Sequence, residues 1–347
     1  MPTEETNELI RKRKEEHIKL SLKKENQYLK KTTGFECIEL IHNALPNLNF
    51  DDIDTHINIF NRIFDYPIYI SGMTGGIEFG KRVNMKLAEL AEKYNIPFGV
   101  GSQKPMLKDP NLKHTYDVKR EYPSIFLIGN IGAVQLKEMS DNEIDSLIKD
   151  INADALAIHI NPGQEIMQHE GDLNFENSID AIKRAKDILD VPVIVKEVGT
   201  GINREIAKQL EKIGISYLDV AGSGGTNWLK IDMDRGIKRP NFYEWGIPTA
   251  LCLLITQDIN IHILASGGIR SGVDGAKSLV LGADMFGAAK PFLEHMMNNT
   301  LEKLMNDLIS DLKTTMFLTG SKNIKELKRK KYILFGWLKE WFESYPL

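Results

Sequence analysis

Short runs of continuously apolar residues recur along the chain and form the clearest pattern in the sequence. Eight of them lie between residues 67 and 290: PIYISGM (67–73), PFGVGS (97–102), IFLIGN (125–130), DALAIHI (154–160), PVIVKE (192–197), YLDVAGS (217–223), IHILASGG (261–268) and DMFGAAK (284–290). Continuous apolar runs, as opposed to alternating ones, are typical of strands buried on both faces. The pattern therefore predicts eight core strands.

A helical pattern fills most of the segments between these strands. VNMKLAELAEKYN (83–95) and NREIAKQLEKIG (203–214) place apolar residues three and four positions apart. Strands that alternate with helices pair in parallel, so eight such units predict an α/β fold, a closed (β/α)8 TIM barrel. An open doubly wound sheet is the alternative, but it usually has fewer strands and a single dominant glycine-rich turn.

The chain extends beyond the barrel at both ends. We expect residues 1–66 to form a basic N-terminal segment and a barrel-capping extension, residues 67–299 to form the barrel, and residues 300–347 to form helices packed on it. Within the last segment, KKYILFGWLKEWF (330–342) carries an aromatic stripe. Such a stripe is typical of a core or subunit contact.

Composition and charge exclude several classes of protein. The chain has 347 residues, 42% of them hydrophobic and 27% charged, and a net charge of only -4, which does not indicate a nucleic-acid-binding protein. The first 31 residues are too charged for a secretion signal, and TALCLLI (249–255) is too short to cross a bilayer. Cys37 and Cys252 stand alone, which favours a reducing cytoplasm over a disulfide or zinc framework.

The carboxyl ends of the last two strands predict a phosphate site. SGGIRSG (266–272) follows the seventh strand and leads into a helical pattern, and Gly-Ala-Ala-Lys ends the eighth. Glycines let the backbone approach a phosphate closely, and a helix N-terminus offers unpaired N–H groups. Phosphates in TIM barrels usually bind at the loops after these two strands, and Arg270 lies between them.

Two further strand ends carry candidate chemistry. In HINPGQE (159–165), Glu165 could bind Mg²⁺ if substrate phosphates complete the shell, Gln164 could orient a substrate, and His159 is as often structural as functional. Lys196 ends the fifth strand. It could hold the electron-rich edge of a flavin ring, or it could pair with Glu197 or another carboxylate as a structural contact.

Motifs at the strand ends follow one another in a characteristic order from about residue 11 to about residue 340. They are RKEEH (13–17), MTGG (73–76), VGSQ (100–103), HINPGQE, VKEVGTG (195–201), GSGGTNW (222–228), SGGIRSG and LTGSK (318–322). Together they resemble the type 2 isopentenyl-diphosphate isomerases. The resemblance implies an FMN-dependent barrel enzyme of isoprenoid biosynthesis that interconverts isopentenyl diphosphate and dimethylallyl diphosphate, using reduced FMN and Mg²⁺.

The resemblance also implies roles for individual residues. Those expected to contact FMN are Met73, Thr74, Gly75, Ser102, Asn130, Lys196 and Thr226, with Gly267, Gly268, Arg270, Ala288 and Ala289 around its phosphate. Those expected to bind the substrate are Arg13, Lys14, His17, Ser102, Gln103, Lys104, His159 and Gln164. Glu165 is the expected Mg²⁺ ligand, and Gln164, His159 and Lys196 are the expected catalytic residues. Lys104 stands where the family usually has Arg, so the charge remains but the bidentate fork is lost.

The implied reaction moves a double bond by adding one proton and removing another. The strand ends offer no obvious pair of carboxylates tuned as acid and base, which is consistent with proton transfer at the flavin nitrogens. NADPH is the expected reductant, although no dinucleotide fingerprint is present. We also expect a cytoplasmic homo-oligomer, tetrameric or octameric, with no nucleic-acid or membrane partner.

Two functions other than the isomerase are possible for such a barrel, and each predicts different residues at the strand ends. An FMN-dependent oxidoreductase of the α-hydroxy-acid oxidase type needs a His base after the sixth strand, and AGSGGTNW (221–228) contains none. A non-catalytic flavin-binding barrel is the second alternative function. The many polar strand ends argue against it, because buried polar groups are costly to keep without a use.

Overall fold

Eight parallel strands close into a barrel in the computed structural model, which describes residues 14–169 and 171–346. The barrel strands follow chain order and are β4 (Ile68–Ile70), β5 (Phe98–Gly99), β6 (Leu127–Gly132), β7 (Ala155–His159), β8 (Val193–Lys196), β9 (Tyr217–Asp219), β10 (His262–Ala265) and β11 (Met285–Ala288). Seven of the eight apolar runs contain one of them, and the run at 125–130 overlaps β6, which extends to Gly132. The predicted (β/α)8 barrel is confirmed, and the open-sheet alternative is wrong because β11 pairs with β4.

Four strands of three residues each lie outside the barrel. They are β1 (Ile38–Leu40), β2 (Ile57–Ile59), β3 (Arg62–Phe64) and β12 (Tyr332–Leu334). The β2–β3 hairpin covers the amino end of the barrel, where Phe60 stacks on Phe126 and lies against Tyr217. Because aromatic rings fill this end, the barrel is accessible from its carboxyl end.

Fifteen helices lie within the described residues. They are α1 (14–21), α2 (Glu78–Lys93), α3 (Lys104–Lys108), α4 (Ala133–Leu136), α5 (Asp141–Lys149), α6 (Pro162–Glu165), α7 (Ser178–Ile188), α8 (Arg204–Lys212), α9 (Trp228–Arg235), α10 (Thr249–Ile255), α11 (Gly272–Val280), α12 (Lys290–Met297), α13 (Leu301–Leu318), α14 (Ile324–Leu327) and α15 (Gly336–Ser344). None of them combines the length and apolar character needed to cross a membrane.

The apolar runs are buried on both faces, as their pattern predicts. One face of each strand points into the barrel, where Ile128, Ala157 and Leu264 share a core with the aromatic rings of the amino end. The other face packs against the surrounding helices, for example through Leu127 and Ile158. The strands therefore form a rigid wall that fixes the positions of the residues at its rim.

The C-terminal segment differs from the helical expectation. Residues 332–334 form β12, which pairs antiparallel with β1, and α15 begins only at Gly336. The Tyr-Ile-Leu run favours a strand, and Gly336 then takes a φ of +62°, which suits glycine. In α15, Leu338 is buried against the core, whereas Trp341 is 45% exposed.

Candidate active site at the carboxyl end of the barrel

A large cavity opens at the carboxyl end of the barrel and encloses about 1680 Å³, including its mouth. It collects residues from all eight strand ends and from α1. Of the residues expected from the sequence, those that line it are Lys14, His17, Met73, Thr74, Ser102, Lys104, Asn130, His159, Gln164, Glu165, Lys196, Thr226, Gly267, Gly268, Arg270, Ala288 and Ala289. Residues scattered over the sequence thus meet in one place.

Two expected site residues are placed differently, and a third is not among the described residues. Gln103 is fully buried in the barrel wall, where its side chain donates to Leu147 O at 2.8 Å and accepts from Asn130 N at 2.8 Å. Gly75 does not line the cavity and packs so tightly on Tyr116 that a Cβ at this position would lie only 2.0 Å from Cε1 of the ring. Arg13 lies outside the described residues.

One end of the cavity is built to receive a phosphate. Gly267 and Gly268 adopt φ values of +94° and +78°, and their N–H groups and that of Ala289 find no acceptor within residues 14–169 and 171–346. Such left-handed backbone suits glycine and turns N–H groups outward. Ala289 precedes α12, so the helix dipole adds to the positive potential there.

Two cations border these N–H groups: Lys290, which is 8% exposed, and Arg270, which lines the cavity although the residue as a whole is exposed. Burial lowers the pKa of Arg270 and also that of Lys290, and the charge of Arg270 lowers the pKa of Lys290 further. Lys290 reaches Glu294 at 3.6 Å, and Arg270 donates to Gln27 Oε1 at 3.0 Å. Two neighbouring like charges are stabilised by an anion between them. No role for Lys290 was expected from the sequence beyond its place at a strand end.

The middle of the cavity contains Lys196, which is 9% exposed. Its amine donates to the backbone O of Glu197. The Glu197 carboxylate is not its partner, because one oxygen accepts instead from Val198 N, Gly199 N and Thr200 N. The alternative of a structural pair between the two side chains is therefore wrong. The ammonium group borders the cavity, which is also lined by Thr74, whose buried Oγ1 has no partner in the described chain.

His159 is held as a neutral ring beside Lys196. Its Nδ1 donates to Asn130 Oδ1 at 2.8 Å, and the Asn130 amide is oriented by its own donation to Val100 O at 3.1 Å. Burial, followed by the charges of Lys196, Lys14 and Lys104, lowers the pKa of His159 to about 3. With the proton on Nδ1, Nε2 carries a lone pair.

The lysines that lower the pKa of His159 include a second group of cations in the cavity. Besides Lys196, two lysines lower the pKa of His159, and these are Lys14 and Lys104 at the mouth of the cavity. His17 from α1 lines the cavity with them. Arg270 and Lys290 lie instead at the glycine turns, where the charge of Arg270 acts on the pKa of Lys290. The cavity therefore has two separate cationic groups, one at the mouth and one at the glycine turns.

Glu165, the expected Mg²⁺ ligand, is buried on α6, and both of its carboxylate oxygens accept hydrogen bonds. Its Oε1 accepts from Asn161 Nδ2 at 3.0 Å, and its Oε2 accepts from Asp172 N at 2.9 Å. Asn161 Oδ1 is buried and has no donor within the described residues. No cluster of three or more His, Cys, Asp or Glu side chains is arranged for a metal in those residues. A carboxylate beside an unpaired amide oxygen fits a hard cation whose remaining ligands come from substrate and water.

Asp232, on α9, organises this side of the cavity and was not anticipated from the sequence. Its fully buried carboxylate accepts from Gln164 Nε2 at 3.0 Å and Gln168 Nε2 at 3.1 Å on one oxygen. On the other oxygen it meets His17 Nε2 at 2.8 Å and Arg235 Nη1 at 2.9 Å. One side chain thus fixes both α1 and Gln164.

The Gln164 amide is held at both ends. Its Nε2 donates to Asp232, and its Oε1 accepts from Asn161 Nδ2 at 3.2 Å. Exchanging the amide oxygen and nitrogen would lose both contacts. Gln164 therefore presents a fixed face to the cavity, which it lines together with Trp228.

Comparison with known proteins identifies the family. A family model described as "FMN-dependent dehydrogenase" matches residues 137–334, more than half of the chain. The chain is 40% identical to the isopentenyl-diphosphate delta-isomerase of Pyrococcus abyssi over 95% of its own length and 94% of that protein. It is 41% identical to the protein of the same name from Rickettsia bellii, over 92% and 96%. The chain belongs to the isopentenyl-diphosphate delta-isomerase family.

Solved structures share the barrel fold of this isomerase-family chain. A lactate oxidase from Pediococcus acidilactici aligns with a TM-score of 0.66, covering 95% of each chain at 15% identity. A mandelate oxidase variant with a monooxide FMN adduct aligns with a TM-score of 0.61 at 16% identity, covering 92% of each chain. At such identities the likeness shows the shared barrel alone, and the family membership rests on the sequence relatives.

Proposed function

We propose that this protein interconverts isopentenyl diphosphate and dimethylallyl diphosphate by a 1,3 shift of one proton, using reduced FMN and Mg²⁺. One observation carries the proposal: two separate cationic groups share a single cavity. Arg270 and Lys290 stand at the glycine turns, and Lys14 and Lys104 stand near His159 at the mouth. The flavin phosphate and the substrate diphosphate are the two anions that such an arrangement would hold.

The residues at the glycine turns fit FMN. The unpaired N–H groups of Gly267, Gly268 and Ala289 would bind its phosphate together with Arg270. Lys196 and the unpartnered Thr74 hydroxyl would contact its ring system. Reduced FMN, when bound, supplies ring nitrogens that exchange protons, which accounts for a reaction without a tuned pair of carboxylates.

The remaining residues would bind and orient the substrate. Lys14, His17 and Lys104 would hold the diphosphate, and Glu165 with Asn161 Oδ1 would hold Mg²⁺ against it. His159 is neutral before the substrate arrives. A diphosphate that offsets the nearby lysine charges would raise the pKa of His159, so that its Nε2 could take up a proton and donate it to a phosphate oxygen.

Gln164 would position the hydrocarbon part of the substrate. Its amide is fixed by Asp232 and Asn161. Apolar surface from Ile18, Trp228 and Leu293 lines the same cavity and would exclude water from the isoprenyl carbons. The protein would thus supply position and charge, while no side chain is required to act as a strong acid.

Further parts of the proposal concern the cellular setting. We propose a reduced nicotinamide, NADPH, as the source of the electrons that reduce the flavin. The isomerisation itself consumes no electrons. We also propose a cytoplasmic homo-oligomer, tetrameric or octameric, in which exposed aromatic residues such as Trp341 lie at subunit contacts.

The deciding experiment uses the purified protein loaded with FMN and reduced under anaerobic conditions. Isopentenyl diphosphate and Mg²⁺ are added, and the dimethylallyl isomer is followed by NMR. We expect the isomer to accumulate to equilibrium and, in D₂O, to carry deuterium. Oxidation of lactate or mandelate with bleaching of the flavin, and no isomerisation, would favour the oxidase alternative. Flavin binding without either reaction would favour a non-catalytic barrel.

A further inference from the structure

A second, smaller cavity lies inside the barrel and adjoins the candidate site. Tyr69 and Asp219 line it, and Asn130 and Lys196 line both cavities. It leaves about 20 Å³ for the centre of a water-sized sphere. One water molecule needs about 10–15 Å³ by this measure, together with two to four polar partners. The cavity therefore has room for one water.

The Tyr69 hydroxyl is a buried polar group without a partner in the described chain. Its ring fills the barrel interior opposite Gly287, where a Cβ would lie only 2.4 Å from Tyr69 Cε1. The hydroxyl lies close enough to Ser266 and Asp219 for both side chains to act on its pKa. It does not, however, have the distance and angle of a hydrogen bond to either, or to any other described residue. Burial and then the Asp219 charge raise the pKa of Tyr69 well above its usual value, so the hydroxyl keeps its proton and can donate it.

Asp219 is buried at the end of β9 and faces the same small cavity. Its Oδ1 accepts from Ser266 Oγ at 2.7 Å and from Ala221 N at 3.1 Å. Lys196 is its register partner on β8, but in the described residues the two side chains form no ion pair within 4.0 Å. A buried anion and a buried cation that border one small cavity without touching leave a gap that a bridging water can fill.

We propose that one water molecule in this cavity bridges the Tyr69 hydroxyl, the Asp219 carboxylate and the Lys196 ammonium group, and that Asp219 is a positioning residue which holds Lys196 against the flavin ring. The second half rests on the proposed function, because it requires FMN above Lys196. The bridging water does not depend on the proposed function. Asp219 also places a negative charge near the flavin, which opposes the gain of electrons and lowers the reduction potential.

The bridging water is tested by Tyr69→Phe, measured by denaturant unfolding. If water satisfies the hydroxyl, its removal breaks that contact, and the unfolding equilibrium constant rises about fivefold. If the hydroxyl is truly unpartnered, Tyr69→Phe removes a buried unsatisfied group and leaves stability equal or higher, which would overturn the proposal. Tyr66→Phe, at a half-buried tyrosine, gives the baseline for the same chemical change.

The positioning role is tested by Asp219→Asn in the FMN-loaded protein. We expect the two-electron reduction equilibrium of the flavin to shift at least tenfold toward the oxidised form, about 30 mV lower in potential, because the Lys196 cation is no longer held against the ring. A shift toward the reduced form would report only the loss of the Asp219 charge and would overturn the positioning role. Asp154→Asn is the matched control, because it removes a carboxylate from the opposite end of the barrel, where Asp154 contacts Lys119 at 2.6 Å. An unchanged potential in Asp219→Asn with flavin bound would overturn the role.

Tyr69→Phe keeps the second half testable if Asp219→Asn does not fold. Loss of the bridging water would move Lys196 and shift the absorption maximum of the bound flavin. An identical flavin spectrum in Tyr69→Phe would refute the link between the water and Lys196. If the wild-type protein bound no flavin, the proposed function would fail and this second half with it. The unfolding comparison would then decide the water site by itself.

Discussion

Asp232 gives the sharpest test of how the candidate site is held together. Its buried carboxylate meets His17 and Arg235 on one oxygen and Gln164 and Gln168 on the other. In Asp232→Asn, one oxygen is replaced by an NH₂ group, which cannot accept a hydrogen bond. Two of the four donors would then face another donor. The charged Arg235 would claim the remaining oxygen, so the glutamines are the groups left unpaired.

The magnitude follows from the number and kind of hydrogen bonds that the substitution removes. A hydrogen bond to a charged group contributes about 1.5–3 kcal/mol, and removing one partner of a buried ion pair costs about 3–5 kcal/mol. Because asparagine keeps one acceptor oxygen, we expect Asp232→Asn to lower the free energy of unfolding by about 3 kcal/mol. Asp234→Asn, which removes a carboxylate that pairs with Lys230 on the same helix, should change it by less than about 1 kcal/mol.

The loss of unfolding free energy in Asp232→Asn should depend on pH, and the pKa of Asp232 determines the direction of that dependence. Burial alone would raise the pKa of Asp232, but the hydrogen bonds from His17, Gln164 and Arg235, together with the His17 charge, outweigh it and hold the pKa below its usual 3.8. A carboxyl with a lowered folded-state pKa stabilises the fold above its unfolded-state pKa, and that stabilisation is lost as pH falls through the folded-state value. The gap between wild type and Asp232→Asn should therefore be full at neutral pH and shrink below about pH 4.

Urea unfolding and turnover of isopentenyl diphosphate measure the two consequences. We expect lower stability and also lower kcat, because an unpaired Gln164 can turn away from the substrate. Asp232→Asn with wild-type stability at neutral pH would show that the four contacts do not hold the site. Lower stability with unchanged kcat would show that Gln164 needs no positioning.

The remaining predictions concern single residues of the cavity. His159 has a pKa of about 3 in the folded protein, so as pH falls the unfolded chain binds a proton at this residue before the folded protein does. The free energy of unfolding of the wild type, measured by urea unfolding, should therefore fall by about 2 kcal/mol between pH 7 and pH 5. That of His159→Gln should fall correspondingly less. Equal losses would refute the buried neutral ring. Glu165→Gln should weaken Mg²⁺ dependence and activity while sparing flavin binding, whereas Lys196→Ala should weaken FMN binding; equal flavin loss in a titration of both variants would mean that the two roles are misassigned. Arg270→Ala should raise the dissociation constant for FMN roughly 10- to 150-fold, since a charge-assisted contact of about 1.5–3 kcal/mol is lost. A constant within a factor of two of wild type would place the phosphate elsewhere.

The barrel could be predicted from the sequence because its strands are buried on both faces. Continuous apolar runs such as PVIVKE leave little ambiguity when eight of them alternate with helical patterns. The strand at residues 332–334 could not be predicted in the same way. It is three residues long and depends on pairing with Ile38–Leu40, nearly 300 positions away in the sequence, and it merges with an aromatic pattern that also suits a helix.

The candidate site could be predicted where it coincides with strand ends. Lys196, His159 and Arg270 can be located in this way, because the barrel brings all such ends to one rim. The position of a residue at the end of an apolar run does not predict whether its side chain points into the cavity or into the barrel wall. Gln103 therefore lies in the wall, where it supports Asn130, although its neighbours Ser102 and Lys104 line the cavity.

Asp232 could not be found by reading strand ends, because it lies on a helix. A signal was present, however. In WLKIDMDR (228–235) the acidic residue follows Leu229 by three positions, so it shares a face with a buried apolar residue. An aspartate on the apolar face of a helix that follows a glycine-rich turn must find buried donors, and here these are His17, Arg235 and two glutamines.

A crystal structure of the protein with FMN, Mg²⁺ and isopentenyl diphosphate would show whether two anions share this cavity. We expect the flavin phosphate at the N–H groups of Gly267 and Gly268 beside Arg270 and Lys290. We expect the diphosphate between Lys14, Lys104 and His159, with Mg²⁺ at Glu165. A flavin phosphate bound away from the glycine turns, or a diphosphate bound outside the cavity, would contradict the proposed function.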